Sequence, residues 1–188
     1  MTANHLAPEW LAHPEDANAL DAALWPRHAD RAASGALRLA GVTATALHAA
    51  YGTPLFVVDE QDVRDRAAEV RDALAAAFAP HGAPVTVYYA GKAFLCIEVV
   101  RWMDDAGLNI DVCSGGELAV ALAAGFDPAR LGFHGNNKSL AEIDRAVETG
   151  VGAIVLDSVV EIDRVAEAAT RHGRVQNVRL RINSGADE

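Results

Sequence analysis

The stretch VTVYYAGKAF, residues 85–94, joins a β-branched and aromatic run to the first of only two lysines in the chain. Pro84 and Gly91 bound the run, which predicts a buried strand that ends directly before Lys92. The other fourteen basic residues are arginines, so lysine does not serve as ordinary surface charge here. A lysine at the end of a buried strand can be partly desolvated, which frees its amine to attack a carbonyl. The alternative is a lysine whose stem lies along the sheet while its amine reaches water.

The composition and charge of the chain exclude several functional classes. Its 188 residues carry a formal net charge of −10 at pH 7 without a basic stripe, which disfavours a nucleic-acid or anionic-membrane surface. The first twenty residues lack the apolar core of a signal peptide, and no apolar run reaches membrane-spanning length, so we expect a cytoplasmic protein. Cys96 and Cys113 have no metal-ligand spacing with the histidines and predict small buried thiols.

Strand-like and helix-like runs alternate from residue 55 onward, which predicts an α/β protein with a parallel sheet. The helical spacing of apolar residues is clearest between Val63 and Phe78. The six predicted strands are LFVVD (55–59), VTVYYA (85–90), LNIDV (108–112), RLGFHG (130–135), GAIVLD (152–157) and NVRLRI (177–182).

Three serines mark helix starts after predicted strands. Each stands three residues before a glutamate, the capping-box spacing in which the serine oxygen and the carboxylate satisfy backbone donors at a helix start. The pairs are Ser114 with Glu117, Ser139 with Glu142, and Ser158 with Glu161. Polar residues therefore gather at the carboxyl edge of the sheet, where β/α enzymes place their sites.

The first 49 residues do not follow this alternation. They contain an irregular segment with Trp10, His13 and Trp25, and then a short strand, ALRLAGV (36–42), before a helical run. This strand does not fit as the first strand of a regular β/α series. We therefore assign residues 1–49 to a second, β-rich domain and residues 50–188 to the β/α domain.

Five motifs in this frame resemble one family of enzymes. They are YGTPLFVVDE (51–60), YYAGKAF (88–94), LNIDVCSGGE (108–117), LGFHGNNKS (131–139) and RLRINSG (179–185). In this order and spacing they resemble the pyridoxal-phosphate-dependent decarboxylases with the alanine-racemase-like fold, a TIM-type β/α barrel joined to a β-rich domain. HGNNKS favours the branch that acts on diaminopimelate over the ornithine and arginine branches.

The resemblance implies roles for four residues. Lys92 would hold pyridoxal 5'-phosphate covalently, Asp111 and Arg181 would lie near the cofactor, and His134 could line the pocket. On the residues alone, Asp111 is equally a turn or helix-start aspartate, and His134 is a structural histidine. Arg181 is predicted to face the barrel interior, where an arginine needs a partner. Arg179 shares that face by alternation and is the predicted comparison for it.

The resemblance also identifies residues 50–188 as the first six β/α units of an eight-unit barrel. The sequence lacks counterparts of the family's ring-stacking histidine, its glycine-rich phosphate cradle, its acid at the pyridine nitrogen, and the cysteine-containing segment that a partner subunit contributes. We therefore expect the chain to be the amino-terminal part of a longer enzyme. That enzyme would be a homodimer with shared active sites, and the 188 residues alone would be poorly folded and inactive.

The activity implied by the resemblance is decarboxylation of meso-2,6-diaminopimelate to L-lysine, a step of lysine biosynthesis. Two alternatives stay open. One is a decarboxylase of another basic amino acid, of the ornithine or arginine type. The other is a non-catalytic homologue that binds pyridoxal phosphate or regulates an enzyme; the presence of Lys92, Asp111 and Arg181 disfavours a decayed homologue but allows a carrier.

Overall fold

The computed structural model describes Pro8, Asp16 and residues 18–182. The chain divides into two compact units, Met1–Asp62 and Val63–Glu188. Most of the irregular amino-terminal segment and the end of the RLRINSG motif, residues 183–185, lie outside the described residues. The assignment of residues 1–49 to a second, β-rich domain stays a prediction.

The amino-terminal unit contains a three-stranded antiparallel sheet. Its strands, in spatial order, are β1 (Ala29–Arg31), β2 (Leu37–Leu39) and β3 (Val42–Thr43). ALRLAGV, predicted as one strand, is two strands joined at Ala40 and Gly41, whose φ angles of 47° and 82° are those that a tight hairpin turn requires. The predicted helix follows as α1 (Ala44–Tyr51), and the Thr43 hydroxyl caps it.

Five parallel strands, paired in chain order, form the sheet of the second unit. They are β4 (Tyr88–Ala90), β5 (Asn109–Val112), β6 (Leu131–Phe133), β7 (Ala153–Leu156) and β8 (Val178–Leu180). The helices of this β/α part are α2 (Glu60–Phe78), α3 (Ile97–Asp105), α4 (Gly115–Ala123), α5 (Leu140–Thr149) and α6 (Val159–His172). The predicted α/β class with a parallel sheet is confirmed. None of the helices in the described ranges combines the length and apolarity needed to cross a bilayer.

The first of the six predicted strands is not a strand in the structure. Residues 55–59 pair with no other strand in the described part of the chain, and Phe56 is 95% exposed. Apolar and β-branched residues favour a strand, but a strand forms only where another backbone pairs with it. The parallel sheet therefore has five strands where six were predicted.

The core of the second unit lies between the sheet and its helices. Ile110 and Phe133, on the central strands β5 and β6, are completely buried among apolar side chains of the helices. Val155 is buried because β7 lies between β6 and β8. Leu180 and Ile182, at the β8 edge of the sheet, are exposed.

The three predicted capping boxes form to different extents. Ser139 and Glu142 make the complete reciprocal box at the start of α5. The Ser114 hydroxyl accepts from the Glu117 backbone N–H, which is half of a box, and Ser158 makes no side-chain cap at all. In the two incomplete boxes, the glutamate instead accepts a hydrogen bond from the backbone N–H one residue before the serine. These carboxylates therefore hold the residues that follow the ends of β5 and β7.

Candidate active site

A cavity of about 340 Å³ lies at the carboxyl edge of the parallel sheet. All four residues predicted to form the site line this cavity: Lys92, Asp111, His134 and Arg181. They come from four different places in the fold, after β4, within β5, after β6 and after β8. The volume falls within the range of small-molecule sites in proteins. The sheet thus brings together side chains that are up to 89 residues apart, from 92 to 181.

Lys92 lies in a single 3₁₀ turn, Gly91–Ala93, directly after β4. Gly91 is buried, and a Cβ atom there would lie 2.9 Å from the Asp111 carbonyl oxygen, so the turn packs directly against β5 only because residue 91 is glycine. Lys92 itself is exposed, contrary to the predicted partial burial. The reason is that β4 is an edge strand of the five-stranded sheet, with a neighbour on one side only.

Asp111 and His134 form a close acid–imidazole pair in the cavity wall. The Asp111 Oδ1 and His134 Nε2 atoms are 3.1 Å apart, and both are buried without a well-aligned hydrogen bond. Burial raises the pKa of the Asp111 carboxyl group, while the charges of His134, Arg179 and Lys92 act in the opposite direction. The two groups face each other, so this pair places a carboxylate and an imidazole side by side in the cavity wall.

Arg181 and Arg179, two residues apart at β8, have different partners. The Arg181 Nε atom is 2.9 Å from Asp157 Oδ1, and the Arg181 side chain is half exposed at the cavity wall. The Arg179 guanidinium donates to the Tyr88 hydroxyl at 2.8 Å and lies 4.8 Å from the centre of that ring. Arg179 does not line the cavity, but its charge acts on Asp111. Arg179 was predicted to serve as the control for Arg181, but a substitution of Arg179 would also change the electrostatics of Asp111.

Three residues of the cavity wall were not predicted as site residues: Cys113, Gly135 and Asn136. Cys113 is a half-buried residue of the cavity wall and not a small thiol of the core. Burial raises the pKa of its thiol, and the nearby Glu117 carboxylate adds to this effect. The signal that could have found them is position, since each follows closely the end of a parallel strand.

These lining residues fit a cofactor that carries an aldehyde and acidic groups. Lys92 supplies a primary amine, which can hold a carbonyl carbon covalently as an imine. Arg181 supplies a guanidinium for an anionic oxygen, and the paired Asp111 and His134 side chains supply further polar groups in the cavity wall. The fold and the site together define a β/α enzyme whose cavity, at the carboxyl edge of a parallel sheet, fits a cofactor with a carbonyl group.

The chain belongs to the pyridoxal-dependent decarboxylase family, since the family's pyridoxal-binding domain matches residues 60–188. The predicted resemblance and the predicted cofactor, pyridoxal phosphate, are thereby confirmed. Diaminopimelate decarboxylase of Mycobacterium leprae is 48% identical over 186 residues, which is 99% of this chain and 38% of that enzyme. The enzyme of Mycobacterium tuberculosis strain H37Rv is 50% identical over 164 residues, 87% of this chain and 35% of its own length. The chain thus spans little more than a third of these relatives.

Solved structures show the same relationship in three dimensions. Diaminopimelate decarboxylase from M. jannaschii matches with a TM-score of 0.77 and 28% identity, over 86% of this chain and 37% of that one. The same enzyme in complex with L-lysine matches with a TM-score of 0.76. A lysine/ornithine decarboxylase from Vibrio vulnificus shares the fold at a TM-score of 0.60 and 23% identity, covering 77% of this chain and 36% of that one. The parallel sheet is therefore part of an alanine-racemase-like barrel, as predicted.

Proposed function

We propose that the full-length protein decarboxylates meso-2,6-diaminopimelate to L-lysine with pyridoxal phosphate. The observation that carries the proposal is the convergence of Lys92, Asp111, His134 and Arg181 on one cavity, in a chain 48% identical to the M. leprae enzyme. Because the chain spans 38% of that relative's length, it supplies one part of the active site. The 188 residues alone are proposed to be inactive.

Each of the four side chains has a proposed task. Lys92 would hold the cofactor covalently through its primary amine. When bound, pyridoxal phosphate supplies the electron sink for the electron pair left by the departing carboxyl group. Asp111 and His134, whose Oδ1 and Nε2 atoms lie 3.1 Å apart, would orient the cofactor beside Lys92. Arg181 binds an anionic oxygen of the cofactor or substrate.

We further propose that the full-length protein is a cytoplasmic homodimer with shared active sites. The cavity wall formed by residues 90–181 offers one guanidinium and no glycine-rich turn for a phosphate group among its described lining residues. We propose that further contacts to the cofactor come from the rest of the longer chain and from a second copy. Sedimentation of the full-length protein tests this proposal, and a monomer with full activity contradicts it.

The substrate assignment is tested by carbon dioxide release from the full-length protein loaded with pyridoxal phosphate. We expect kcat/KM for meso-diaminopimelate to exceed that for ornithine or arginine by at least about 100-fold, because a site that pairs a substrate's polar groups rejects analogues that leave them unpaired. A preference for ornithine or arginine would establish the alternative decarboxylase. Cofactor binding without turnover of any of the three would establish the non-catalytic homologue.

Arg181→Ala in the full-length protein is expected to lower kcat/KM about 100-fold, since it removes the cation from the cavity wall. The matched control is Arg171→Ala. The two arginines are similar in exposure and in having a carboxylate partner. Arg171 pairs with Asp144 at 2.6 Å and is 54% exposed, and Arg181 pairs with Asp157 and is 50% exposed. They differ in location, because Arg171 lies on α6 outside the cavity. Loss of the exposed Arg171 pair costs at most about 1 kcal/mol of stability. Equal kinetic effects of the two substitutions would remove the role of Arg181.

A further inference from the structure

The second of the two lysines, Lys138, lies in the loop between β6 and α5, and its side chain is buried. Its side chain is 1% exposed. The ammonium donates hydrogen bonds to the carbonyl oxygens of Gly135 at 2.5 Å and Val155 at 2.8 Å. Its third contact is Glu161, whose Oε2 atom lies 3.1 Å from Nζ. The Lys138 ammonium therefore makes two hydrogen bonds and one ion pair inside the protein.

Glu161 extends these contacts to another wall of the cavity. Its carboxylate, 4% exposed, also accepts a hydrogen bond from the Asp157 backbone N–H at 2.8 Å. The Asp157 carboxylate in turn contacts the Arg181 guanidinium. Lys138 therefore connects two segments that line the cavity, the Gly135 loop and the Arg181 position after β8.

Stability alone does not account for this buried ion pair. The desolvation of two charges offsets much of their attraction, and well-packed apolar residues of similar size often stabilise a fold as well or better. An apolar pair cannot, however, fix two carbonyl oxygens and a carboxylate at defined places. A fully satisfied polar network does this, because each hydrogen bond has a preferred direction and length.

We propose that Lys138 is a positioning residue that fixes the Gly135 loop and Arg181 for cofactor binding. The inference rests on the proposed function, in which the cavity binds pyridoxal phosphate. Lys138 does not line the cavity; it acts directly on Gly135, and through Glu161 and Asp157 on Arg181. Its removal therefore displaces cavity walls, an effect separate from its effect on unfolding.

Two variants of the full-length protein separate these effects. In Lys138→Met/Glu161→Met both charges are absent, so we expect an unfolding temperature at or above that of the wild type. We expect its dissociation constant for pyridoxal phosphate, measured by absorbance titration, to rise at least about tenfold. Glu161→Gln keeps the shape and the acceptor, so it is expected to unfold at a lower temperature but to bind the cofactor within about threefold of wild type.

The control is Arg171→Met/Asp144→Met, which removes an exposed pair outside the cavity and is expected to leave cofactor affinity unchanged. The inference would be overturned if cofactor affinity fell only in variants whose unfolding temperature fell, because Lys138 would then act only through folding. If the double methionine variant does not fold, Glu161→Gln decides: retained affinity supports the inference and a tenfold loss overturns it. A wild-type protein that does not bind pyridoxal phosphate refutes the proposed function itself, and this is seen before any variant is compared.

Discussion

Lys92→Ala in the full-length protein is expected to lower decarboxylation at least about 1000-fold, or about 4 kcal/mol in the activation barrier. The reason is chemical, since covalent attachment of a carbonyl cofactor needs a primary amine and no other lysine lines the cavity among the described residues. The fold should be unaffected. Lys92 is exposed, and substitutions at such positions usually change stability by no more than about 0.5 kcal/mol.

Labelling provides the control for this prediction. Borohydride reduction of the loaded full-length protein, followed by peptide mapping, should place the pyridoxyl group on Lys92. Lys138 is the internal control because it is the other lysine of this chain, and its ammonium is buried in three contacts. Labelling of Lys138, or full activity of Lys92→Arg, would disprove the assignment, since an arginine cannot form the bond.

Much of the fold follows from local sequence signals. All five parallel strands of the structure were predicted from the alternation of strand-like and helix-like runs. The serines at 114, 139 and 158 stand directly before α4, α5 and α6. The error at residues 55–59 shows the limit of such signals. LFVVD has the residues of a strand, but whether it forms one depends on a pairing partner, and that is a property of the tertiary fold.

The candidate site is predictable to a similar degree. Lys92 stands out from the scarcity of lysine and from its place after a strand, and family motifs add Asp111, His134 and Arg181. Cys113 and Asn136 were missed because no chemical signal in the sequence distinguishes them from loop residues. Their place in the cavity wall follows only from the register of neighbouring strands.

Long-range polar partners were the least predictable feature. The contact between Arg179 and Tyr88 joins residues 91 positions apart. Glu161 was predicted as a helix cap, but its main partners are Lys138 and the Asp157 backbone N–H. The capping-box spacing predicts only the local hydrogen-bond partners of a glutamate at the third position of a helix. A buried lysine nearby becomes its partner instead, because a desolvated charge must be paired.

The contrast between two capping glutamates leads to a prediction about stability. Glu142 accepts three hydrogen bonds, from the Gly115 and Ser139 backbone N–H groups and the Ser139 hydroxyl. These bonds hold the pKa of its carboxyl group below the ordinary value. Glu161 has fewer contacts, one backbone N–H and the Lys138 ammonium, but it is almost fully buried. A count of hydrogen bonds would make Glu142 the more important residue.

Burial predicts the opposite order. Glu161→Ala leaves the Lys138 ammonium buried without its counter-ion, which is expected to lower the free energy of unfolding by about 3–5 kcal/mol. Glu142→Ala, at a half-buried position where water can replace the lost partner, is expected to cost about 1 kcal/mol. Urea denaturation of the two full-length variants measures both values. An equal loss, or a larger one for Glu142→Ala, would mean that water reaches Lys138. In Lys138→Met/Glu161→Ala, where no charge is left unpaired, most of the loss should disappear, because the penalty belongs to the stranded ammonium rather than to the missing carboxylate.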